Sequence, residues 1–419
     1  MLKGSKARRT QEQEPRRCYD QRMVPKLVRS RFLAAALVGA FVAHVITFRA
    51  AALAPAQAKT PGGEETFHGL ADQAGRAQHR GQSEEAIRLY LEAVRIRPQW
   101  ADGWRNLGIL LAVRKDYKRA EAAFKSLLQI EPKSGSGWAL LGLCEYEQGR
   151  LEAAYPHLER AQSLHIANAD LDKIATFDSA LILIQKGEFP MAMSRLVRVA
   201  HLSSDDMDLV TAFGLDALRM ATTPDKLDPT LAPLVTRVGR IEFEAVGGGA
   251  PAERTLGAFK ELLEERSDDP RLHYAYADFL LTIARYDQGV EEMKQALALD
   301  PRDVMALLQL ALTYAKLGEA EQGLPYAEKA VELAPKLFAC RYALGWTLYR
   351  LGKTDRAIEE LQTAVKLEPS DSRAHYALSE AYMHAHRKAD ALREREIFAK
   401  LKKQLEPEPS TPSTRVPQP

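Results

Sequence analysis

The chain has 419 residues, of which 46% are hydrophobic and 27% are charged, a composition typical of a soluble, helix-rich protein. Its formal net charge of +2 is unevenly distributed, because residues 1–31 contain ten Lys and Arg against three Asp and Glu. Arg49 raises the charge of this leader to +8, which leaves −6 for the remainder. The body of the chain therefore lacks the basic excess that a nucleic-acid-binding protein needs.

The basic leader continues into an apolar run of 17 residues, 32–48. This length is at the short limit for a membrane-spanning helix and slightly long for the core of a signal peptide, so both interpretations stand. The small residues Ala56 and Ala58 favour cleavage after Ala58, whereas Arg49 is consistent with a retained anchor. Both interpretations predict a cytoplasmic segment 1–31 and an exported body that is periplasmic or anchored to the inner membrane.

Two helices are predicted within residues 100–133. In the first helix, apolar and small residues recur at i, i+3, i+4 and i+7, and in the second they recur at i, i+4 and i+7. Neither helix can bury its stripe alone, so the two are expected to form a hairpin in which small residues allow close approach. The stripe residues are Trp104, Leu107, Gly108, Leu111, Ala120, Phe124 and Leu127, and Pro132 ends the second helix.

This spacing resembles the tetratricopeptide repeat (TPR), whose period is about 34 residues. The chain repeats that step from Pro98 to Pro132, and again from Pro301 through Pro335 to Pro369. The resemblance, to TPR proteins of the exported bacterial type, implies an all-α fold. We expect an α-solenoid, wound as a right-handed superhelix, of about eight TPR-like helical hairpins with an irregular middle.

The repeat pattern weakens in the middle of the chain. Residues 208–220 look like a first helix with no partner at the proper distance, and residues 221–234 look like a loop or an insertion. The last helix is heavily charged, as a capping helix requires. The predicted divisions are 1–31 (basic cytoplasmic N-terminus), 32–58 (signal peptide or membrane anchor), 59–66 (linker), 67–206 (N-terminal TPR array), 207–252 (irregular helical insertion), 253–405 (C-terminal TPR array with capping helix) and 406–419 (disordered tail).

The histidines and cysteines form no motif of a catalytic or metal-binding site. His384 and His386 would point about 200° apart on a helix, so they cannot share a metal ion. Cys144 and Cys340 lie several repeats apart, which is too far for a disulfide, and are expected to fill space in or near the core. We therefore predict that the protein is not an enzyme and binds neither a cofactor nor a metal ion.

In the TPR family the first helices of successive repeats line a concave groove that receives a peptide or a partner helix. The resemblance implies a protein-interaction scaffold or adaptor, which the leader would place on the extracytoplasmic side of the membrane. An accessory subunit of an envelope enzyme, or of a secretion or assembly machine, is the alternative. One TPR subclass clamps carboxylates with Lys and Asn, and Ala71, Arg105 and Ala139 do not reproduce that clamp.

The predicted helix over residues 338–350 carries a second stripe beside its core stripe. Its members are spaced at i, i+4 and i+7 and lie about 100° from the core stripe, and neighbouring first helices carry large apolar residues at similar offsets. These side chains would form the floor of the groove, or they would only wedge adjacent first helices together. The predicted groove residues are Tyr274, Leu308, Leu312, Tyr342, Trp346, Tyr349, Tyr376 and Met383.

Overall fold

A computed structural model describes residues 61–201, 206–246 and 249–405, which fall into two compact units divided between residues 203 and 204. Within these ranges the chain forms nineteen α-helices and no β-strand. The predicted all-α solenoid is therefore confirmed. The leader and the C-terminal tail predicted over 406–419 lie outside the described residues.

The first unit contains four hairpins, in each of which two consecutive helices pack together. Its helices are α1 (Pro61–His79), α2 (Ser83–Ile96), α3 (Ala101–Val113), α4 (Tyr117–Ile130), α5 (Gly135–Glu147), α6 (Leu151–Ser163), α7 (Ala169–Gln185) and α8 (Phe189–Ala200). Cys144 is buried in this unit and carries a free thiol, as its predicted packing role requires.

The second unit contains five such hairpins and one additional helix, α11, which lies between the first and second of them. Cys340 is buried in this unit, also as a free thiol. The helices are α9 (Met207–Ala217), α10 (Ala232–Val246), α11 (Ala252–Glu265), α12 (Pro270–Thr282), α13 (Tyr286–Leu299), α14 (Val304–Leu317), α15 (Ala320–Leu333), α16 (Phe338–Arg350), α17 (Thr354–Leu367), α18 (Ser372–His384) and α19 (Lys388–Leu405).

Helix α1 begins at Pro61, which corrects the prediction of a linker over residues 59–66. Proline is favoured at the start of a helix because it has no N–H group to leave unsatisfied. Glu64 lies in the first turn, where a negative charge is favourable, and it forms an ion pair with Arg97. The Arg97 guanidinium also lies 3.8 Å from the centre of the Phe67 ring. The helix thus begins before the start that the repeat pattern indicates, and Arg97 holds its first two turns against the end of α2.

The segment predicted as an irregular helical insertion, 207–252, is mostly a helical hairpin. The sequence pattern indicates no partner for the helix predicted over 208–220. In the structure this helix is α9, and it packs along α10 as closely as the two helices of the other hairpins pack together. Residues 218–231 separate the two helices and include a short 3-10 turn at Pro224–Lys226. This connection is longer than in the other hairpins, so the partner falls outside the period of about 34 residues.

Two glycines allow α9 and α10 to approach backbone to backbone. A Cβ atom added at Gly214 would lie 1.9 Å from the carbonyl oxygen of Val235, and one added at Gly239 would lie 1.9 Å from that of Val210. Real Cβ atoms do not approach other atoms so closely, so these positions require glycine. The crossed pairing of the two glycines also shows that the helices run antiparallel.

A residue in the left-handed backbone region follows the first helix of each described hairpin, including Gly187 (φ 76°) after α7 and Arg219 (φ 55°) after α9. In the other seven hairpins, the regular hairpins, these positions follow a 34-residue step within each unit, and not all of them are glycine. They are Gly81 (φ 72°), Lys115 (63°) and Gly149 (71°) in the first unit, and Ala284 (62°), Gly318 (83°), Gly352 (72°) and His386 (61°) in the second. A left-handed residue at a helix end redirects the chain into the turn, which permits the short connection to the second helix.

A side-chain N–H group near the start of several first helices binds the backbone carbonyl six residues earlier. The donors are Trp104 (to Pro98, 2.8 Å), Trp138 (to Pro132, 3.0 Å), His273 (to Ser267, 3.0 Å), Arg341 (to Pro335, 3.0 Å) and His375 (to Pro369, 3.0 Å). In the second unit each donor also pairs with a glutamate 19 residues later: Glu292, Glu360 or Glu394. The side chain thus connects the preceding loop, the first helix and the second helix of one hairpin.

Candidate protein-binding surface

The first helices of the last three hairpins contact one another directly. Helix α14 contacts α16, and α16 contacts α18, whereas the second helices α13, α15 and α17 contact the first helix of the next hairpin. An array whose first helices approach each other in this way curves toward them. The first helices α14, α16 and α18 therefore lie on the inner side of this unit, where the predicted groove residues are found.

Leu308 is a core residue and does not belong to this surface. Its side chain is 3% exposed, because it packs with Ala330, Cys340 and Ala343 between α14 and the following hairpin. The sequence prediction of Leu308 as a groove residue is corrected accordingly. Leu312, one helical turn later, packs against the same cluster and is half-buried.

The aromatic stripe of α16 is half-buried and contacts the last two hairpins. Tyr342, Trp346 and Tyr349 pack against a core cluster that includes Leu378 and Ala381 of α18. The Trp346 and Tyr349 rings are 5.3 Å apart between centres. One side of this stripe therefore wedges first helices together while the other side remains accessible, so each of the two sequence interpretations describes part of it.

Tyr376 and Met383 of α18 are the exposed members of the predicted set. Their residues are 44% and 37% exposed, and their spacing of seven places them on the same face of the helix. The Tyr376 ring lies 5.5 Å from that of Phe398 on α19. These two side chains offer apolar area that a partner could bury without opening the core.

A cation beside the aromatic stripe was not predicted from the sequence. The Arg373 guanidinium lies 5.7 Å from the centre of the Phe338 ring and 5.6 Å from that of Tyr342. Asp371 caps the start of α18 by accepting a hydrogen bond from the backbone N–H of Arg373, and it also pairs with the guanidinium at 2.6 Å. An Asp two residues before an Arg at a helix start is the local signal that could have indicated this arrangement.

Three carboxyl groups lie close together at the other end of this unit, and the sequence analysis missed them. Burial raises the pKa of Asp216 to about 8, with further contributions from Glu242 and Asp278. Burial also raises the pKa of Glu242 to about 8, again with a contribution from Asp278. Asp278 has an accessible side chain, yet the surrounding protein raises its pKa as well, and the charge of Arg219 opposes that shift.

Tyr274, the first of the predicted groove residues, lies beside these carboxyl groups. It is half-buried, and the Arg219 guanidinium lies 4.4 Å from the centre of its ring. Burial raises the pKa of the Tyr274 hydroxyl above its ordinary value of 10. The structure thus divides the predicted set: Tyr274 lies beside the carboxyl groups, and the stripe from Tyr342 to Met383 lies on the last two hairpins.

Neither a metal centre nor a membrane span occurs in the described part of the chain. Over those residues no three or more His, Cys, Asp and Glu side chains are grouped so as to hold a metal ion. The described helices likewise include none with the length and apolar character needed to cross a membrane. Residues 32–48, on which the anchor prediction rests, lie outside the described ranges.

Comparison with known protein families identifies the repeat. The model of the tetratricopeptide repeat family matches residues 72–137, 280–337 and 342–394, which lie in both units. Human protein O-mannosyl-transferase TMTC3 is 29% identical over 147 residues, which are 34% of this chain and 15% of that protein. The general transcriptional corepressor trfA of Dictyostelium discoideum is 28% identical over 87 residues, 21% of this chain and 6% of that protein. The similarity thus covers only a small part of either relative.

Two solved structures align with part of the chain. A fragment of MamA from Desulfovibrio magneticus RS-1 is 23% identical, with 37% of this chain and 88% of that chain aligned and a TM-score of 0.35. YrrB, described as a TPR protein with an unusual peptide-binding site, is 20% identical, with 40% of this chain and 88% of that chain aligned and a TM-score of 0.34.

Proposed function

Because the chain contains tetratricopeptide repeats, we propose that it is a protein-interaction scaffold that binds a peptide or a helix of a partner along the inner side of its second unit. The observation that carries this proposal is the accessible apolar surface on α16 and α18. Tyr376 and Met383 are exposed there, beside the half-buried Tyr349. Aromatic side chains dominate the energetics of protein interfaces, since they bury a large area at a low cost in conformational entropy.

The proposal includes no catalytic activity of the chain itself. The similarity to the transferase TMTC3 covers 15% of that protein, which is too small a part to assign its transfer reaction to this chain. We further propose that the repeats act outside the cytoplasm. The basic segment 1–31 followed by the apolar run 32–48 supports this location, because the two together have the order of an export signal.

The binding proposal is tested with the full chain and random peptides displayed on phage. Peptides that the protein selects are synthesised, and their Kd is measured by fluorescence anisotropy. The variant Tyr376→Ser with Met383→Ser should weaken binding by about tenfold or more, since these are the most exposed apolar side chains of the proposed surface. The melting temperature should change little, because both residues are exposed in the free protein.

The matched control is Leu392→Ser with Ile397→Ser on α19, two residues that are 58% and 38% exposed on a second helix. It removes a similar apolar area from a helix outside the proposed surface and should leave the Kd unchanged. The proposal is wrong if the selection enriches no peptide, or if the two double variants weaken binding equally.

A further inference from the structure

The turns that join the two helices of each of the last two hairpins form a basic edge of the second unit. One turn segment covers residues 350–356, between α16 and α17, and the other covers residues 384–390, between α18 and α19. Together they contain five Lys and Arg and two His, against two Asp. The basic edge consists of Arg350, Lys353, Asp355, Arg356, His384, His386, Arg387, Lys388 and Asp390, and all of these except Asp390 are exposed.

The fold neutralises only part of this positive charge. Arg356 pairs with Glu328 at 3.1 Å, and Arg387 pairs with Asp390 at 2.7 Å. The other three cations form no ion pair with a carboxylate in the described part of the chain, and the exposed Asp355 offsets one of them. The edge therefore keeps a net charge of about +2 at neutral pH, where Lys and Arg are protonated. The three unpaired cations are Arg350, Lys353 and Lys388.

The equivalent turns of the two preceding hairpins are not basic. They precede residues 350–356 by one and two steps of 34 residues, and they contain two cations against three carboxylates. The repeat thus fixes the fold of these turns without fixing their charge. The positive charge is concentrated at the two hairpins that also carry the accessible apolar surface. The charged residues of the preceding turns are Arg285, Asp287, Lys316, Glu319 and Glu321.

The basic edge adjoins the proposed binding surface. Arg350 directly follows Tyr349 at the end of α16. Burial and the charge of Glu380 raise the pKa of the Tyr349 hydroxyl, and the charge of Arg350 opposes that shift. On α18, His384 directly follows Met383, and its ring lies edge-on to that of Tyr349 with 6.2 Å between the ring centres. A segment that covers Tyr349 and Met383 therefore lies next to the cations of the edge.

The helices around this surface carry little opposing negative charge. Within α14, α16 and α18 the only carboxylate is that of Glu380, and Arg395 of α19 pairs with it at 2.8 Å. Arg350 lies at the negative end of a helix dipole, whereas Lys353 precedes α17 and Lys388 begins α19, at the positive ends. The helix dipoles therefore do not neutralise the edge, and a carboxylate brought by a partner would be attracted to it.

From these observations, and resting on the proposed function, we propose that the basic edge binds acidic side chains of the partner segment. The segment is amphipathic: its apolar side chains cover Tyr349 and Met383, and an Asp or Glu beside them reaches Arg350 and Lys353. Ion pairs at the rim of an interface contribute mainly to the rate of association and to selectivity, and salt weakens them. A nucleic acid is the other polyanion that cations attract, but the adjoining apolar surface favours a protein segment, which brings apolar and acidic side chains together.

The test combines the phage-selected peptides with variants of the full chain. The peptides should contain Asp or Glu beside their apolar residues, and replacing these by Asn or Gln should raise the Kd about fivefold or more at low salt. In the edge variant, Arg350→Gln with Lys353→Gln, the same replacement should change the Kd by less than about twofold. The matched control is Lys260→Gln with Lys366→Gln, which removes two exposed positive charges from α11 and α17 and should keep the full effect.

The outcomes separate this inference from the proposed function. If peptides bind through Tyr376 and Met383, but the carboxylate effect is equal in the edge variant and in the control, the basic edge does not contact the partner and the groove proposal still stands. If labelled oligothymidylate binds as tightly as the peptides and loses affinity in the edge variant, the edge is a nucleic-acid site and the inference is wrong. If no peptide is selected, both proposals fail. The substituted side chains are exposed, so the circular dichroism of the edge variant should match that of the parent chain.

Discussion

At the scale of single residues, the left-handed positions that follow the first helices often hold a residue type that this backbone conformation disfavours. Three of the seven regular positions lack glycine, among them Ala284 with φ of 62°. A residue with a Cβ atom is strained in this region, so Ala284→Gly should raise the free energy of unfolding by about 1 kcal/mol. Urea denaturation followed by circular dichroism measures the change.

The matched control for that substitution is the reverse change in the next repeat. Gly318 occupies the equivalent position with φ of 83°, and no atom lies within 4 Å of a Cβ added there. Gly318→Ala should therefore lower stability by a similar amount through backbone strain alone. Two variants that shift stability in the same direction would contradict the assignment of these positions.

The buried carboxyl groups predict a dependence of stability on pH. The pKa of Asp216 is about 8 in the folded chain against an ordinary 3.8, so the folded state binds more protons than the unfolded state between those values. Stability should consequently fall as pH rises from about 4 to about 8, by at most about 1.4 kcal/mol per pH unit for each such carboxyl. Asp216→Asn should be more stable than the parent chain, increasingly so toward pH 8.

Urea denaturation at several pH values between 5 and 8 tests this expectation. Glu321→Gln is the control, because that carboxyl is exposed on α15. The free energy of unfolding of this variant should change with pH in the same way as that of the parent chain. A parent chain whose stability rises over this range, or an Asp216→Asn variant with an unchanged slope, would show that Asp216 is ionised throughout.

At the scale of helices, the regular hairpins could be predicted because their stripe, their turn and their length repeat together. The α9/α10 hairpin could not, because its connection over residues 218–231 removes the partner from the expected distance although both helices have apolar faces. Leu308 shows a different limit. Its position in the sequence places it beside the core stripe of α14. Only the direct packing of α14 on α16 shows that this side of the helix is buried.

The glycines of the α9/α10 hairpin give a prediction at this scale. Gly239→Ala should cost about 1 to 3 kcal/mol, since the new Cβ would meet the carbonyl oxygen of Val210 and force the helices apart. Gly257 of α11 is the matched control because an added Cβ there meets no atom within 4 Å. Gly257→Ala should be neutral or stabilise by up to about 1 kcal/mol through helix propensity.

Thermal denaturation of the two glycine variants distinguishes close packing from propensity. A lower melting temperature is expected for Gly239→Ala alone. The glycines at regular hairpin contacts are a milder case: a Cβ at Gly108 would meet the ring of Phe124, and one at Gly345 the side chain of Leu361. Side chains can shift more readily than backbone, so substitutions at these two positions should be tolerated better than at Gly239.

At the scale of the whole molecule, the repeat architecture follows from the sequence, whereas the grouping of distant charged residues does not. The repeat depends on short-range spacing, which is visible in any stretch of about 34 residues. The carboxyl cluster combines residues 216, 242 and 278, which only the packing of three helices brings together. No local motif indicates such a cluster, and the one sequence signal is Asp216, an acidic residue within an otherwise apolar helix face.

The proposed location outside the cytoplasm depends on the leader and can be tested separately from the repeats. Residues 1–58 fused ahead of an alkaline phosphatase, which is active only after export, should give an active reporter in bacterial cells. Replacing Leu37 and Val38, in the middle of the apolar run, by Arg should abolish that activity, because charged residues are strongly disfavoured in a membrane-inserting segment. The same substitutions at Leu2 and Val24, outside the run, are the control and should have no effect. An inactive fusion with the natural leader would refute the proposed location and leave the binding surface unaffected, since no described repeat helix includes residues 1–58.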